Sequence, residues 1–223
     1  MLIVRPPYFV TSLMPRMTWG FYGQLRKVFL TFDDGPTPEV TPWVLDQLRQ
    51  YNAKATFFCL GRNVDHYPDV YRQMLDEGHS TGNHTYSHLR GFGSTNRQYF
   101  EDIELAGQLI DSDLFRPPYG RIWPSQVNQV AKNYRLIMWD VLSIDYNPRV
   151  PGEQIVMNVN SNVRSGSIVV FHDSAKASKN LYYALPRVLE YLAGQGYEMV
   201  SIPMKKYVAD RMWLKGVSGR KTG

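Results

Sequence analysis

The feature that most constrains this chain is its alternation of short apolar runs with amphipathic, helix-like stretches. Runs at 28–32, 54–60, 79–83, 114–116, 136–139, 167–171 and 198–202 read as strands. Between them, helical patterns run from Thr37-Pro38 to Tyr51, over 67–77, from Thr95 to Ile110, and over 124–133, 153–163 and 181–193. Thr37 reads as a helix cap with Pro38 in the first turn. Thr95 and Gln98 have the spacing of a capping box, and Phe100, Ile103, Ala106 and Ile110 line one face of the helix they open. Strand–helix alternation of this kind implies an α/β fold with a parallel sheet, either open or closed into a barrel. Such folds gather their chemistry at the carboxyl ends of the strands.

The unusual residues fall at those ends. Asp33 and Asp34 terminate the first strand, and Gly35-Pro36 breaks it. Neighbouring strand residues point to opposite faces, so both carboxylates can serve one site only where the strand stops. Taken alone, Asp-Asp-Gly-Pro also reads as a turn with a helix cap. His84 and His88 are four apart, a spacing that would place both rings on one side of a helical turn. With one aspartate they suggest three protein ligands and open positions for water and substrate, the pattern of a catalytic zinc-type site. The other aspartate is then available as a base. His172 ends an apolar run and can act as the acid, although alone it reads more readily as a satisfied core histidine. Arg116-Pro117-Pro118-Tyr119-Gly120 ends another strand, and its stiff backbone would aim the Tyr119 N–H at a developing oxyanion. Alone, it is a rigid loop with a surface arginine. His66, His79 and Cys59 lie outside this constellation and read as structural. Trp123, Trp139 and Tyr119 are candidates for stacking on sugar rings, against the commoner role of filling a core.

In this order, these pieces resemble the motifs of the polysaccharide deacetylase family, the NodB-homology or carbohydrate esterase family 4 domain. Thr31-Phe32-Asp33-Asp34-Gly35 resembles its first motif, which implies Asp33 as base and Asp34 as metal ligand. His84-Thr85-Tyr86-Ser87-His88 is similar to the second, implying two histidine ligands. Arg116-Pro117-Pro118-Tyr119 resembles the third, where the arginine orients the base and the tyrosine N–H holds the oxyanion. Trp139-Asp140 through Asp145-Tyr146 resembles the fourth, with the later acid acting on the catalytic histidine. Val170-Phe171-His172 resembles the last, with His172 as acid and Val170 lining an acetate pocket; Tyr119, Tyr146 and Trp139 are the further candidates for binding substrate. Tyr146 stands where the family commonly has tryptophan, and Val170 where it has leucine. The resemblance implies a distorted (β/α) barrel of seven or eight strands. It also implies a metal-dependent hydrolase of carbon–nitrogen bonds in linear amides, removing N-acetyl groups from an amino sugar or glycan. Zinc is the expected ion, with cobalt, nickel or iron compatible with the same donors. An amidohydrolase or O-acetyl esterase for a small non-sugar substrate is the alternative; a non-catalytic metal- or sugar-binding module has no need of base and acid together. No Gly-x-Ser-x-Gly elbow suggests a serine hydrolase.

The net charge of +5 belongs to the end of the chain: from Pro203 onward six basic residues face one acid, and the rest is balanced. That pattern is unlike a nucleic-acid-binding face, which spreads basic charge over folded surface. A solvated tail is the favoured reading, while Trp213 and Leu214 within it allow a weak contact with an anionic membrane surface. Residues 1–17 lack the apolar core of an export signal, so a cytoplasmic location is expected, peripheral to the membrane at most. The expected division is an N-terminal extension over 1–27, a catalytic domain over 28–202 and a basic tail over 203–223.

Overall fold

A computed structural model describes residues 4–205. In chain order the elements are α1 (Tyr8–Ser12), β1 (Met17–Thr18), β2 (Lys27–Asp33), α2 (Val40–Gln50), β3 (Thr56–Cys59), α3 (Gly61–His66), α4 (Pro68–Asp76), β4 (Ser80–Asn83), α5 (Asn96–Gly107), β5 (Leu114–Phe115), α6 (Pro124–Val130), β6 (Arg135–Ile137), β7 (Val141–Leu142), α7 (Gly152–Asn160), β8 (Ile168–His172), α8 (Ser178–Gly194) and β9 (Glu198–Met199). Eight strands form one path in the order β1-β6-β5-β4-β3-β2-β8-β7, and β9 pairs with the start of β2. Every pairing between these strands is parallel.

Connectivity shows that this sheet curls. β6 lies near one end of the path and β7 at the other, yet only Met138, Trp139 and Asp140 separate them in sequence. The four steps from Ile137 to Val141 span about 14 Å at most, far less than the width of a flat eight-stranded sheet. The two edges must therefore approach each other. Along that seam Gly20 bridges Ser167, the Phe21 N–H donates to the Gly166 carbonyl and the Asp140 N–H to Ile168. The product is the distorted barrel expected from the family resemblance.

Period-two alternation then sorts the strand residues into two layers. Val28, Leu30 and Phe32 of β2 pack outward with Phe57, Val169 and Phe171 against α2, α7 and α8. Phe29, Phe58, Leu114, Ile137 and Ile168 form a cluster with Ile202, of the opposite parity, inside the barrel. Asp33, Arg116, Val170 and His172 share that inner parity. The site is thus the uppermost layer of the barrel interior.

Several local expectations change. The helix expected from Thr37 starts at Val40, because the Thr37 hydroxyl donates to the Asp173 carbonyl rather than capping. The capping box at Thr95 and Gln98 forms, but Tyr99 is buried on that helix where Phe100 is only partly so. Strands β1 and β7 have two residues each, too short to leave a period in the sequence. β1 brings the segment ahead of residue 28 into the sheet, and Met17 into a core with Phe115 and Leu136. Among the described residues no helix is long and apolar enough to cross a membrane. The tail carrying Trp213 and Leu214 lies outside the described residues.

Candidate active site

Five non-glycine residues with left-handed backbone sit in the loops at the strand tips: Asp34 (φ 78°), Thr85 (66°), His88 (66°), Tyr119 (59°) and Ile144 (68°). Such conformations cost free energy and persist where surrounding bonds dictate them. At Asp34 the consequence is direct. A regular strand would turn its carboxylate away from that of Asp33; the left-handed residue breaks the alternation and brings both acids to the same cleft. The bend is held by Asp173, whose Oδ1 accepts the Gly35 N–H at 3.1 Å and whose Oδ2 accepts the Thr41 hydroxyl at 2.6 Å. Only glycine fits position 35, where a Cβ would lie 2.0 Å from Asp173 Oδ2.

His84 and His88 do not lie on a helical turn, contrary to the reading of their spacing. His84 follows β4, and the next four residues form a loop with two left-handed positions. Asp102 on α5 holds this loop, accepting the Tyr86 and Ser87 N–H groups and the Ser87 hydroxyl. The imidazoles converge nonetheless, with ring centroids 5.1 Å apart. His84 Nε2 and His88 Nε2 stand 3.7 and 3.2 Å from Asp34 Oδ1, itself a buried oxygen with no hydrogen-bond partner. His84 Nδ1 lies 2.8 Å from the Arg116 carbonyl, which can only accept; the proton is therefore on Nδ1, and the Nε2 lone pair faces Asp34. Burial, reinforced by His88, pushes His84 down to about 3, so it is neutral as a ligand must be. Burial lowers His88 as well, against the pull of Asp34 and Asp33. Three donor atoms of Asp34, His84 and His88 within 4.8 Å of one another, mixed in nitrogen and oxygen, fit a divalent ion of the zinc type.

Arg116 is fully buried inside the barrel, not at the surface. Its Nη1 donates to Asp33 Oδ1 at 2.6 Å and to Thr31 Oγ1 at 2.8 Å. Nε and Nη2 donate to the Ile137 and Met138 carbonyls, and the guanidinium lies 4.0 Å over the Phe58 ring. Asp33 is directly opposite His172 in the β2–β8 register. Asp145, fully buried, grips that histidine twice: Oδ2 accepts its backbone N–H and Oδ1 lies 2.8 Å from Nδ1. Burial works against the imidazolium, but Asp145, helped by Asp34 and Asp33, outweighs it and raises His172 to about 9. Nε2 is the ring nitrogen left for the cleft.

The cleft encloses about 600 Å³ and is lined by Asp33, Asp34, His84, His88 and His172 together with Tyr119, Trp139, Leu142, Tyr146 and Val170, while Arg116 and Asp145 are buried behind Asp33 and His172. Leu142, unnoticed in the sequence, is the register partner of Val170 on β7. The Tyr146 ring stands edge-on to His172 at 5.1 Å, and the Tyr119 ring lies 4.6 Å from His88. Gly120, left-handed at φ 64°, lets the Tyr119 turn lie against Trp139, 2.5 Å from where a Cβ would be. Asp140, at the start of the fourth motif, belongs to the seam instead, bonded to Arg5, Tyr22, Arg164 and Ser167. His79 is structural, its Nδ1 accepting the Ala55 N–H. Asp173 and Asp102 escaped sequence reasoning because each holds backbone amides and one distant hydroxyl, contacts that leave no pattern in the sequence.

A parallel barrel with a divalent-ion cradle between a carboxylate and a histidine held by a buried acid defines a metal-dependent hydrolase. Comparison with known proteins agrees. Residues 23–139 match the polysaccharide deacetylase family. A peptidoglycan-N-acetylglucosamine deacetylase of Bacillus cereus is 39% identical over 198 residues, covering 83% of this chain and 91% of that one. A chitooligosaccharide deacetylase of Azorhizobium caulinodans is 31% identical over 197 residues, covering 79% and 92%. The crystal structure of the Bc1960 peptidoglycan N-acetylglucosamine deacetylase superposes with a TM-score of 0.78 at 31% identity, over 89% of this chain and 95% of that one. The chain belongs to the polysaccharide deacetylase family, and the relatives named above are metal-dependent deacetylases of N-acetylated sugars.

Proposed function

We propose that this protein hydrolyses the N-acetyl group of an N-acetylated amino sugar within an oligo- or polysaccharide, yielding acetate and the free amine. Asp34, His84 and His88 hold the divalent ion, with zinc first among the candidates. When bound, that ion polarises the acetamide carbonyl and acidifies a water molecule. Asp33 accepts the water's proton as the water adds to the carbonyl carbon. Arg116 is a positioning residue: its bond to Oδ1 fixes the carboxylate while leaving Oδ2 to face the cleft. The Tyr119 N–H donates to the oxyanion of the tetrahedral intermediate. His172, protonated because Asp145 stabilises the imidazolium, delivers a proton from Nε2 to the departing nitrogen. The carbon–nitrogen bond then breaks. Val170, Leu142, Trp139 and Tyr146 supply apolar walls for the acetyl methyl and exclude water around the reacting carbon.

The observation that carries this reading is the pairing of Asp33 with His172 across adjacent strands, with the three-donor cradle beside them. The test is acetate release from an N-acetylated chitooligosaccharide, an O-acetylated sugar and acetanilide, by the wild type and Asp33→Asn. Release from the N-acetylated glycan, reduced about 10³-fold in the variant, is expected for loss of a general base. Equal turnover by both proteins, or release from the O-acetyl or small-amide substrate alone, overturns it.

A further inference from the structure

Ser143 opens the loop after β7 and is fully buried, outside the lining of the cleft. Its hydroxyl nevertheless stands close to the chemistry. It donates to Asp145 Oδ1 at 3.0 Å, and the same oxygen lies 2.8 Å from His172 Nδ1. Oδ2 accepts the His172 backbone N–H. Asp145 therefore meets the imidazole through an oxygen that it shares with a neutral donor. Among the described residues no arginine or lysine pairs with Asp145, so Ser143 is the one side chain competing with the imidazole for this carboxylate. Asp33, the base across the cleft, is instead met by the full positive charge of Arg116.

The loop around the pair is fixed from several sides. Ile144, between the two residues, is left-handed at φ 68°, and the Asp145 N–H folds back to donate to Ser143 Oγ at 3.2 Å. The Ser143 N–H donates to the Val170 carbonyl, and the Ser143 carbonyl accepts Asn158 Nδ2 from α7 at 2.9 Å. Asn180 on α8 donates to the Asp145 and Asn147 carbonyls at 3.0 and 3.1 Å. Two helices thus hold the backbone without touching the carboxylate; the serine hydroxyl reaches the carboxylate itself. In a buried setting, a hydrogen bond to a carboxylate draws charge from the accepting oxygen and weakens its hold on a neighbouring cation. A general acid works best with a pKa near the working pH. Burial lowers His172, yet Asp145 still carries it up to about 9, so a firmer grip would hinder release of its proton.

We infer that Ser143 is a positioning residue of the deacetylation that acts through Asp145: its hydroxyl takes up part of the charge on Oδ1, so that His172 holds its proton loosely enough to hand it to the departing nitrogen. The inference rests on the deacetylase reading, in which His172 is the acid, and adds a residue to that site. The other charged or titratable groups facing His172 are Asp33 and Asp34 at the end of β2, His88 from the loop after β4 and the Tyr146 ring. Ser143→Ala alters none of them.

The test is the titration of His172 followed by NMR in wild type and Ser143→Ala, zinc-loaded and zinc-free, beside pH–rate profiles of acetate release from N-acetylchitotetraose. With the hydroxyl gone, the His172 pKa and the alkaline limb should both move up by about 0.5–1 on the pH scale. At neutral pH kcat should fall roughly threefold with KM unchanged, because a proton held more firmly is transferred more slowly. A serine that only props up the loop gives the opposite sign, since a displaced Asp145 lets the pKa drop towards the ordinary histidine value. A lowered or unmoved pKa therefore overturns the inference and leaves the deacetylase reading standing. Asn158→Ala, which loosens the same loop at the Ser143 carbonyl, should lower the melting temperature and leave the His172 titration in place; a rise equal to that of Ser143→Ala also overturns the inference. Absence of acetate release by the wild type, with the titration shifted as expected, overturns the deacetylase reading and with it the part of Ser143 in catalysis. Should Ser143→Ala fail to fold, Ser143→Cys, whose thiol is a weaker donor, is read by the same sign.

Discussion

His172 and Asp145 illustrate what single residues contribute. A histidine raised to about 9 is protonated throughout the neutral range and loses its proton only as the pH rises past that value. If it is the acid, kcat/KM should fall on the alkaline side near pH 9. Asp145→Asn removes the principal group holding the pKa up. The alkaline limb should then move towards the ordinary histidine value of about 6.5, with roughly tenfold more activity lost at pH 8 than at pH 6. A pH–rate profile checks this, and an unmoved limb would show that His172 is not the titrating acid. Of the residues named from the sequence, Asp33, Asp34, His84, His88, Tyr119, Trp139, Tyr146, Val170 and His172 line one cleft, Arg116 and Asp145 are buried behind it, and Trp123 lies outside its lining. The grounds were sound for the strand ends, where an apolar run followed by a charged residue fixes position. For Arg116 the residues alone leave a surface arginine open, and the family resemblance implies a partner of the base; the curled sheet shows why, with four acceptors waiting for it inside the barrel.

At the scale of elements, the loops matter more than the strands they terminate. The i, i+4 spacing of His84 and His88 gave the right pairing for the wrong backbone: Thr85 and His88 are left-handed, and Asp102 rather than a helix sets their approach. Left-handed aspartate, threonine or histidine cannot be told from ordinary residues in a sequence, whereas a capping box can, which is why α5 was legible and this loop was not. The same holds at the turn after β2. Asp173→Ala would leave the Gly35 N–H and the Thr41 hydroxyl without their acceptor, at a cost of about 1–3 kcal/mol. Thermal unfolding should register ~2–4 °C per kcal/mol for a chain of this length. Asp34 would lose its orientation as well, so metal affinity should fall further than the lost stability accounts for. Titration with zinc alongside a melting curve distinguishes the two, and unchanged affinity would remove Asp173 from the site's support. Gly35→Ala, which places a Cβ 2.0 Å from Asp173 Oδ2, should reproduce the loss.

For the whole molecule, curling of the sheet puts chemistry and stability at different places on one barrel. The seam is clamped by Asp140, nearly buried and bonded to Arg5, Tyr22, Arg164 and Ser167, so that the segment before β2 is tied to the strands after β6. Asp140→Ala should lower stability by about 2–3 kcal/mol, with the arginines' exposure limiting the loss, and leave the pH–rate profile in place. Equilibrium denaturation measures the first and the profile the second; a displaced profile would mean that the seam and the site are coupled. The opposite part of the barrel interior brings Asp33, Arg116 and His172 from three different strands beside the Asp34–His84–His88 cradle, an arrangement no single stretch of sequence displays. Anomalous diffraction at the zinc edge, from crystals grown with zinc, tests that cradle most directly. One peak about 2.0–2.2 Å from Asp34 Oδ1, His84 Nε2 and His88 Nε2 together is the expected result. A strong zinc peak elsewhere with this cradle empty, or an ion touching only one of the three, would contradict it.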